Sequence, residues 1–188
     1  MIAKEDLMYR QIFSLKDGAR VLVRPLTKDD RQELLDLFLP VSEEDKRYTR
    51  HNINDPAVVN GWIDNLDYEK VLPLVAEVGH HIVGCATLHF HEGPARHIAE
   101  VRIFLSKDFR QRGVGSRMLQ GLIDMARRRS LYMLEVEIVS DQAHLIKAFQ
   151  NLGFQSRCIY ENAFMLQDGD LRDVNCLVLR LRAQVNEF

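Results

Sequence analysis

Two features of the chain have the composition and spacing to do chemistry. The first is Arg110-Gln111-Arg112-Gly113-Val114-Gly115-Ser116, which puts two glycines and two arginines at the start of a helix. Glycines there let backbone N–H groups approach a ligand closely, and the first N–H groups of a helix have no intrahelical acceptor. Such a turn cradles a diphosphate, and arginines add charge-assisted bonds to it. Two familiar phosphate loops do not fit. A Walker loop needs Gly-Lys-Ser/Thr, and here Ser116-Arg117 follows Gly115; a dinucleotide fingerprint needs a third glycine where Met118 stands. The second feature is Glu100, in the otherwise largely apolar run Ile98 to Leu105. A carboxylate desolvated in such a strand has a raised pKa, which suits a general base.

Histidines and cysteines give weaker signals. His80-His81 and His89-Phe90-His91 lack a carboxylate or cysteine at a recognisable ligand interval, so they read as solvent-facing or substrate-facing side chains, with no metal. Positions 89 and 91 share one face of a strand. Cys85, Cys158 and Cys176 lie in strand-like runs without metal spacing or an activating partner, which predicts buried free thiols and no cysteine nucleophile.

The elements that must hold these residues follow from periodicity. Ile98 to Leu105 is a largely buried strand. Val114, Met118, Leu122, Met125 and Ala126 recur at the helical period behind the glycines, and Arg127-Arg128-Arg129 at the helix end complements its dipole. Upstream, Lys16-Asp17-Gly18 joins Tyr9 to Leu15 and Val21 to Leu26 as a hairpin. Thr27 caps a helix with core face Leu34, Leu35, Leu37 and Phe38, and Pro40 stops it. Val41 to Asn54 reads as irregular. Asp55-Pro56 starts a helix carrying Val59, Trp62, Ile63 and Leu66. Val71 to Val78 and Ile82 to Phe90 form a second hairpin. Downstream come a strand at Tyr132 to Val139 and a helix opened by Ser140-Asp141-Gln142, with Leu145, Ala148, Phe149 and Leu152 on its core stripe and Gly153 ending it. Phe154 to Tyr160 is a strand, Glu161 to Val174 a long connection, and Cys176 to Leu181 the last strand. This order of elements predicts an α/β chain, a mixed sheet with helices on both faces.

Composition sets limits. At 188 residues the chain suits one domain with a sizeable core. A net charge of −2 gives no bulk argument for nucleic acid or an anionic membrane. No apolar run approaches the roughly 20 residues that span a bilayer, and Met-Ile-Ala-Lys-Glu-Asp lacks a signal-peptide core. A cytoplasmic protein is expected.

Arg-x-x-Gly-x-Gly after a strand, followed by a second strand–helix pair ending in Leu152-Gly153-Phe154, resembles the GNAT family of acetyl-CoA-dependent N-acetyltransferases. The resemblance covers Ile98 to Phe154. It implies a sheet of about seven strands, splayed at the central strand and carrying an extra N-terminal hairpin, in a single domain spanning 1–188. Within it fall the hairpin 9–26, an acceptor-side region 27–70, an acetyl-CoA core 98–154 and C-terminal strands 154–182. Arg110, Gln111, Arg112, Gly113, Val114, Gly115 and Ser116 would wrap the diphosphate of acetyl-CoA. Backbone groups of Ile103, Phe104 and Leu105 would receive the pantetheine arm and thioester carbonyl, Gln142 would bond a pantetheine amide, and Glu100 would be the base. The family usually has Asn where Gln142 stands and Tyr where Phe149 stands. Phe149 has no hydroxyl to act as an acid; Tyr160 and Ser140 are the substitutes within the chain, water the one outside it. Tyr132 and Tyr160 otherwise read as packing residues.

Leu15-Lys16-Asp17-Gly18, Val23-Arg24-Pro25-Leu26 and Asp29-Asp30 resemble the start of the GNAT domain in bacterial protein-lysine acetyltransferases. That likeness favours a protein lysine as the amine acceptor and, with the family's habit of pairing through its last strands, a homodimer. Two other readings stay open: acetylation of a small-molecule amine, and an acyl-CoA sensor without turnover.

Overall fold

Asp17-Gly18 turns the first hairpin as its chemistry demands, with Gly18 at φ +86. The computed structural model describes residues 4–182; 1–3 and 183–188, the ends of the expected domain, lie outside the described residues. The chain forms two units, one from the chain up to His89 together with Arg102–Leu122, the other from Phe90–Val101 and from Ile123 onward.

In the first unit a short helix α1 (Lys4–Leu7) precedes strands β1 (Gln11–Ser14) and β2 (Arg20–Pro25). Helices α2 (Arg31–Phe38), α3 (Glu43–Lys46) and α4 (Pro56–Asp64) follow. Strands β3 (Val71–Val78) and β4 (His81–Phe90) complete an antiparallel order β1-β2-β3-β4. Gly79 and His80, at φ +57 and +71, make the tight β3–β4 turn. The segment expected to be irregular contains α3, one turn capped by Ser42, whose hydroxyl accepts from the Asp45 N–H. Asp55 caps α4 through the Ala57 N–H at 2.8 Å. The apolar faces of α2 and α4 cluster with β3 and β4 and the residue that follows β2: Leu34, Leu37, Phe38, Val59 and Ile63 are buried with Val75, Ile82 and Leu26. Each such side chain contributes about 1.5–3 kcal/mol by leaving water. Beside this core, Arg24 donates to both Asp30 carboxylate oxygens at 2.7 Å and to Glu77 at 3.0 Å. Asp30 also accepts from the Thr27 N–H, which ties β2 to the start of α2.

Strand β5 (Ile98–Leu105) and helix α5 (Val114–Arg128) each contribute residues to both units. The second unit adds β6 (Met133–Val139), α6 (Ala143–Asn151), β7 (Gln155–Met165) and β8 (Leu171–Arg180). Its strands run in the order β5-β6-β8-β7, with β5 and β6 parallel and the other pairs antiparallel. Ala99, Val101, Leu134, Val136, Ile138, Phe149, Phe154 and Leu177 are buried. Glu135 and Glu137 alternate with the buried residues of β6 and so occupy its opposite face. Gly153, at φ +96, ends α6 as expected.

The long connection predicted over Glu161 to Val174 is not there. Strand β7 continues to Met165 and β8 begins at Leu171, with Met165 opposite Leu171. The period-2 signal is missing because β7 is exposed along nearly its whole length, so no buried face imposes alternation. Asn162, at φ +53 within a register shift, breaks the pattern further. The prediction of three buried thiols fails as well: Cys158, on the exposed strand β7, is exposed, and Cys85 and Cys176 are half-buried. Altogether eight strands, six α-helices and three short 3-10 turns stand among the described residues, a mixed α/β chain.

Candidate active site

In the first unit the end of β5 is held tightly. A Cβ on Gly84 of β4 would lie 2.3 Å from Leu105 Cδ2 and 3.2 Å from the Phe104 carbonyl oxygen. A Cβ on Gly115 of α5 would lie 3.1 Å from Leu105 Cδ1 and 3.5 Å from Ile103 Cδ1. The Ser106 N–H donates to the Val83 carbonyl at 2.9 Å. Leu105 is thus seated between two glycines. The Phe104 ring packs 5.1 Å from that of Phe38, so its side chain belongs to the core and its backbone is what a ligand could use. Gly84 was not among the expected site residues; the available signal was a glycine inside a strand, which marks close backbone approach.

Beyond Leu105 the loop turns with Gln111 at φ +56 and Gly113 at φ +85. Left-handed residues spaced this closely shape a backbone for anions. The Arg117 N–H donates to the Gly113 carbonyl at 3.2 Å, which places Gly113 at the cap of α5. By helix geometry Val114, Gly115 and Ser116 then have N–H groups without intrahelical acceptors. The arginines are engaged by carboxylates. Arg110 pairs with Asp45, donates to the Leu105 carbonyl at 3.0 Å and lies 5.9 Å from the Phe104 ring centroid. Arg112 pairs with Asp17, donates to the Asp108 carbonyl at 3.3 Å and lies 5.1 Å from that of Phe109. Arg110 holds the Asp45 carboxyl below the usual range; for Asp17 the Ala19 N–H does so first, then Arg112.

In the second unit Glu100 is half-buried between buried Ala99 and Val101, in register with Glu135 of β6. His91 Nε2 lies 2.8 Å from Glu135 Oε1. The other histidines go elsewhere: His89 to Thr87 at 2.9 Å, His81 to Glu33 at 3.1 Å, His80 beside Glu77 at 3.6 Å. Gln142 opens α6, with its N–H on the Val139 carbonyl at 2.9 Å and no capping bond from its side chain. The Ser140 hydroxyl is buried without a hydrogen-bond partner among the described residues. An orphaned buried hydroxyl costs about 1–3 kcal/mol, which a ligand atom would recover. Phe149 is fully buried, its ring 5.0 Å from that of Phe154, so the missing tyrosine is a core residue here. Tyr160, read as a packing residue, is instead 53% exposed.

A profile of the acetyltransferase (GNAT) family matches residues 31–154. The chain belongs to that family. It is 25% identical over 139 residues to an uncharacterized N-acetyltransferase of Methanocaldococcus jannaschii, covering 72% of this chain and 61% of that protein. Its fold is similar to the GNAT domain of S. lividans PAT, at TM-score 0.76 and 22% identity over 96% of this chain and 99% of that one. It is similar also to the yncA acetyltransferase of Salmonella typhimurium, solved with its cofactor acetyl-CoA, at TM-score 0.76 and 19% identity over 88% and 96%. Within the first unit, the helix N–H groups, the left-handed loop and the two glycines that admit a close strand end have the chemistry that a diphosphate-bearing cosubstrate calls for.

Proposed function

We propose that this chain moves the acetyl group of acetyl-CoA to a primary amine, with a protein lysine as the acceptor. The observation that carries the reading is the passage from β5 into α5. One strand bears a half-buried carboxylate and then leads into a left-handed, glycine-bearing loop and a helix start. In this reading the loop 110–116 and the N–H groups of Val114, Gly115 and Ser116 bind the diphosphate. The backbone of Ile103, Phe104 and Leu105 orients the arm and polarises the thioester carbonyl.

The chemistry then needs a neutral amine. A lysine with a pKa near ~10.4 is deprotonated in only about one molecule in a thousand at neutral pH. Glu100 takes the ammonium proton, directly or through one water. The nitrogen attacks the carbonyl carbon, the C–S bond breaks, and CoA leaves as the thiolate, which water or the Ser140 hydroxyl protonates. The lysine acceptor rests on the N-terminal resemblance at residues 15–18, 23–26 and 29–30. Small-molecule transfer and a silent acyl-CoA sensor remain the alternatives, and a dimer and a cytoplasmic location belong to the same proposal.

The test is labelled acetyl-CoA incubated with the chain and an extract of its own organism, the label traced into protein and small molecules. Label on protein lysines is expected. Label confined to small amines would overturn the lysine acceptor, and tight acetyl-CoA binding without transfer to either fraction would favour the sensor.

A further inference from the structure

Two thiols face each other on the second unit in a place that acyl transfer does not use. Cys158 of β7 is the register partner of Cys176 of β8. Directly opposed residues of antiparallel strands have Cα atoms about 4.5–5.5 Å apart, inside the roughly 4.4–6.8 Å that a disulfide requires. Paired residues of adjacent strands project their side chains on the same face of the sheet, so the two thiols are cross-strand neighbours. Tyr160, two residues on along β7, stands on the same face as Cys158. Cys176 is also the register partner of Glu137 on β6.

The two cysteines differ in access. Cys158 is exposed on β7, a strand with β8 as its one neighbour in the sheet order. Cys176 is half-buried; burial first, then the neighbouring Cys158 and Glu137, pushes its thiol up to about 12. Cys85 on β4 has Val75, not a cysteine, as its register partner, so that thiol has no neighbour to bridge to.

We propose that Cys158 and Cys176 form an oxidant-accessible dithiol that closes to an intrachain disulfide between β7 and β8. Cys158 attacks first. Its thiolate displaces one thiolate from a low-molecular-weight disulfide, breaking that S–S bond and leaving a mixed disulfide on Cys158. The Cys176 sulfur then attacks the Cys158 sulfur, forms the intrachain bond and expels the second thiolate. Two electrons pass from the cysteine pair to the oxidant. Its two sulfurs leave as thiols carrying the two protons that the cysteines held. The site does not depend on the acyl-transfer reading.

The test treats the purified full chain with oxidised glutathione, followed by alkylation and tryptic mapping without reductant. Cleavage after Arg157, Arg172 and Arg180 leaves the two cysteines in separate peptides, so a bridge appears as one linked species. The expected result is that species in the wild type, lost on adding dithiothreitol, with Cys85 unlinked. Cys176→Ser is expected to stop at a lasting glutathione adduct on Cys158, and Cys158→Ser to form no bridge. A lasting Cys158 adduct in the wild type, a bond joining two chains, or two unreacted thiols would each overturn the proposal.

Discussion

Glu100 on β5 stands in register with Glu135 on the parallel strand β6, and Glu135 is bound in turn to His91 at 2.8 Å. The proposed base thus has a second carboxylate as its strand neighbour. A cationic acceptor near Glu100 meets both charges. Glu135→Gln is therefore expected to raise the acceptor KM by about three- to tenfold, the size of a partly exposed charge contact, with kcat within about twofold. Steady-state kinetics with the acceptor varied would show it. A kcat loss as large as that of Glu100→Gln would move the base to Glu135.

The cradle prediction separates backbone from side chain. Gly113→Asp puts a side chain at φ +85 and a negative charge where the diphosphate is proposed to lie, so acetyl-CoA affinity should fall by about a hundredfold or more. Arg112→Ala should cost about tenfold or less, because Arg112 already spends its charge on Asp17. Calorimetric titration with acetyl-CoA measures both. Equal losses would mean that the guanidinium, not the backbone, dominates.

Gly84→Val tests the seat of Leu105. With a Cβ 2.3 Å from Leu105 Cδ2, the larger side chain must displace the end of β5. A lowered melting temperature together with weaker acetyl-CoA binding is expected; overpacking of this kind costs about 1–3 kcal/mol. Unchanged melting and binding would show that the strand end accommodates bulk freely.

Acid stability should report on Arg24–Asp30. Burial alone would raise the Asp30 carboxyl, but Arg24 and the Thr27 N–H outweigh it and hold it below the usual range. A carboxyl depressed on folding stabilises the fold above its unfolded pKa of about 3.9 and loses that contribution as pH falls through the folded value. The wild type should therefore lose stability as pH falls below about 4. Arg24→Met, which strands a buried carboxylate, should cost about 3 kcal/mol near neutral pH. Urea unfolding across pH tests this, and a variant as stable as the wild type would remove the pair from the account.

The parts of the fold legible in sequence are those whose burial is one-sided. The hairpin at Asp17-Gly18, the helix opened by Asp55-Pro56 and the passage from Ile98 into Val114 appear where turn chemistry and apolar spacing put them. Strand β7 was half-missed because exposure on both faces erases alternation, and α3 because one capped turn is shorter than a helical period can reveal. At the candidate site, types and spacing single out the loop 110–116 and Glu100 as the residues to test. The carboxylates that engage Arg110 and Arg112, Asp45 and Asp17, lie 65 and 95 residues away in sequence, and only folding brings such partners together. Gly84 and the orphaned Ser140 hydroxyl likewise acquire meaning from neighbours that the sequence does not display.

The most direct measurement is the transfer rate of Glu100→Gln against wild type, from labelled acetyl-CoA to the acceptor fraction of the extract, with acetyl-CoA affinity measured alongside. The substitution keeps shape and removes the base, so transfer should fall by about 10²–10⁴ while affinity stays within about twofold. Equal transfer by the two proteins, at equal affinity, would contradict the role given to Glu100.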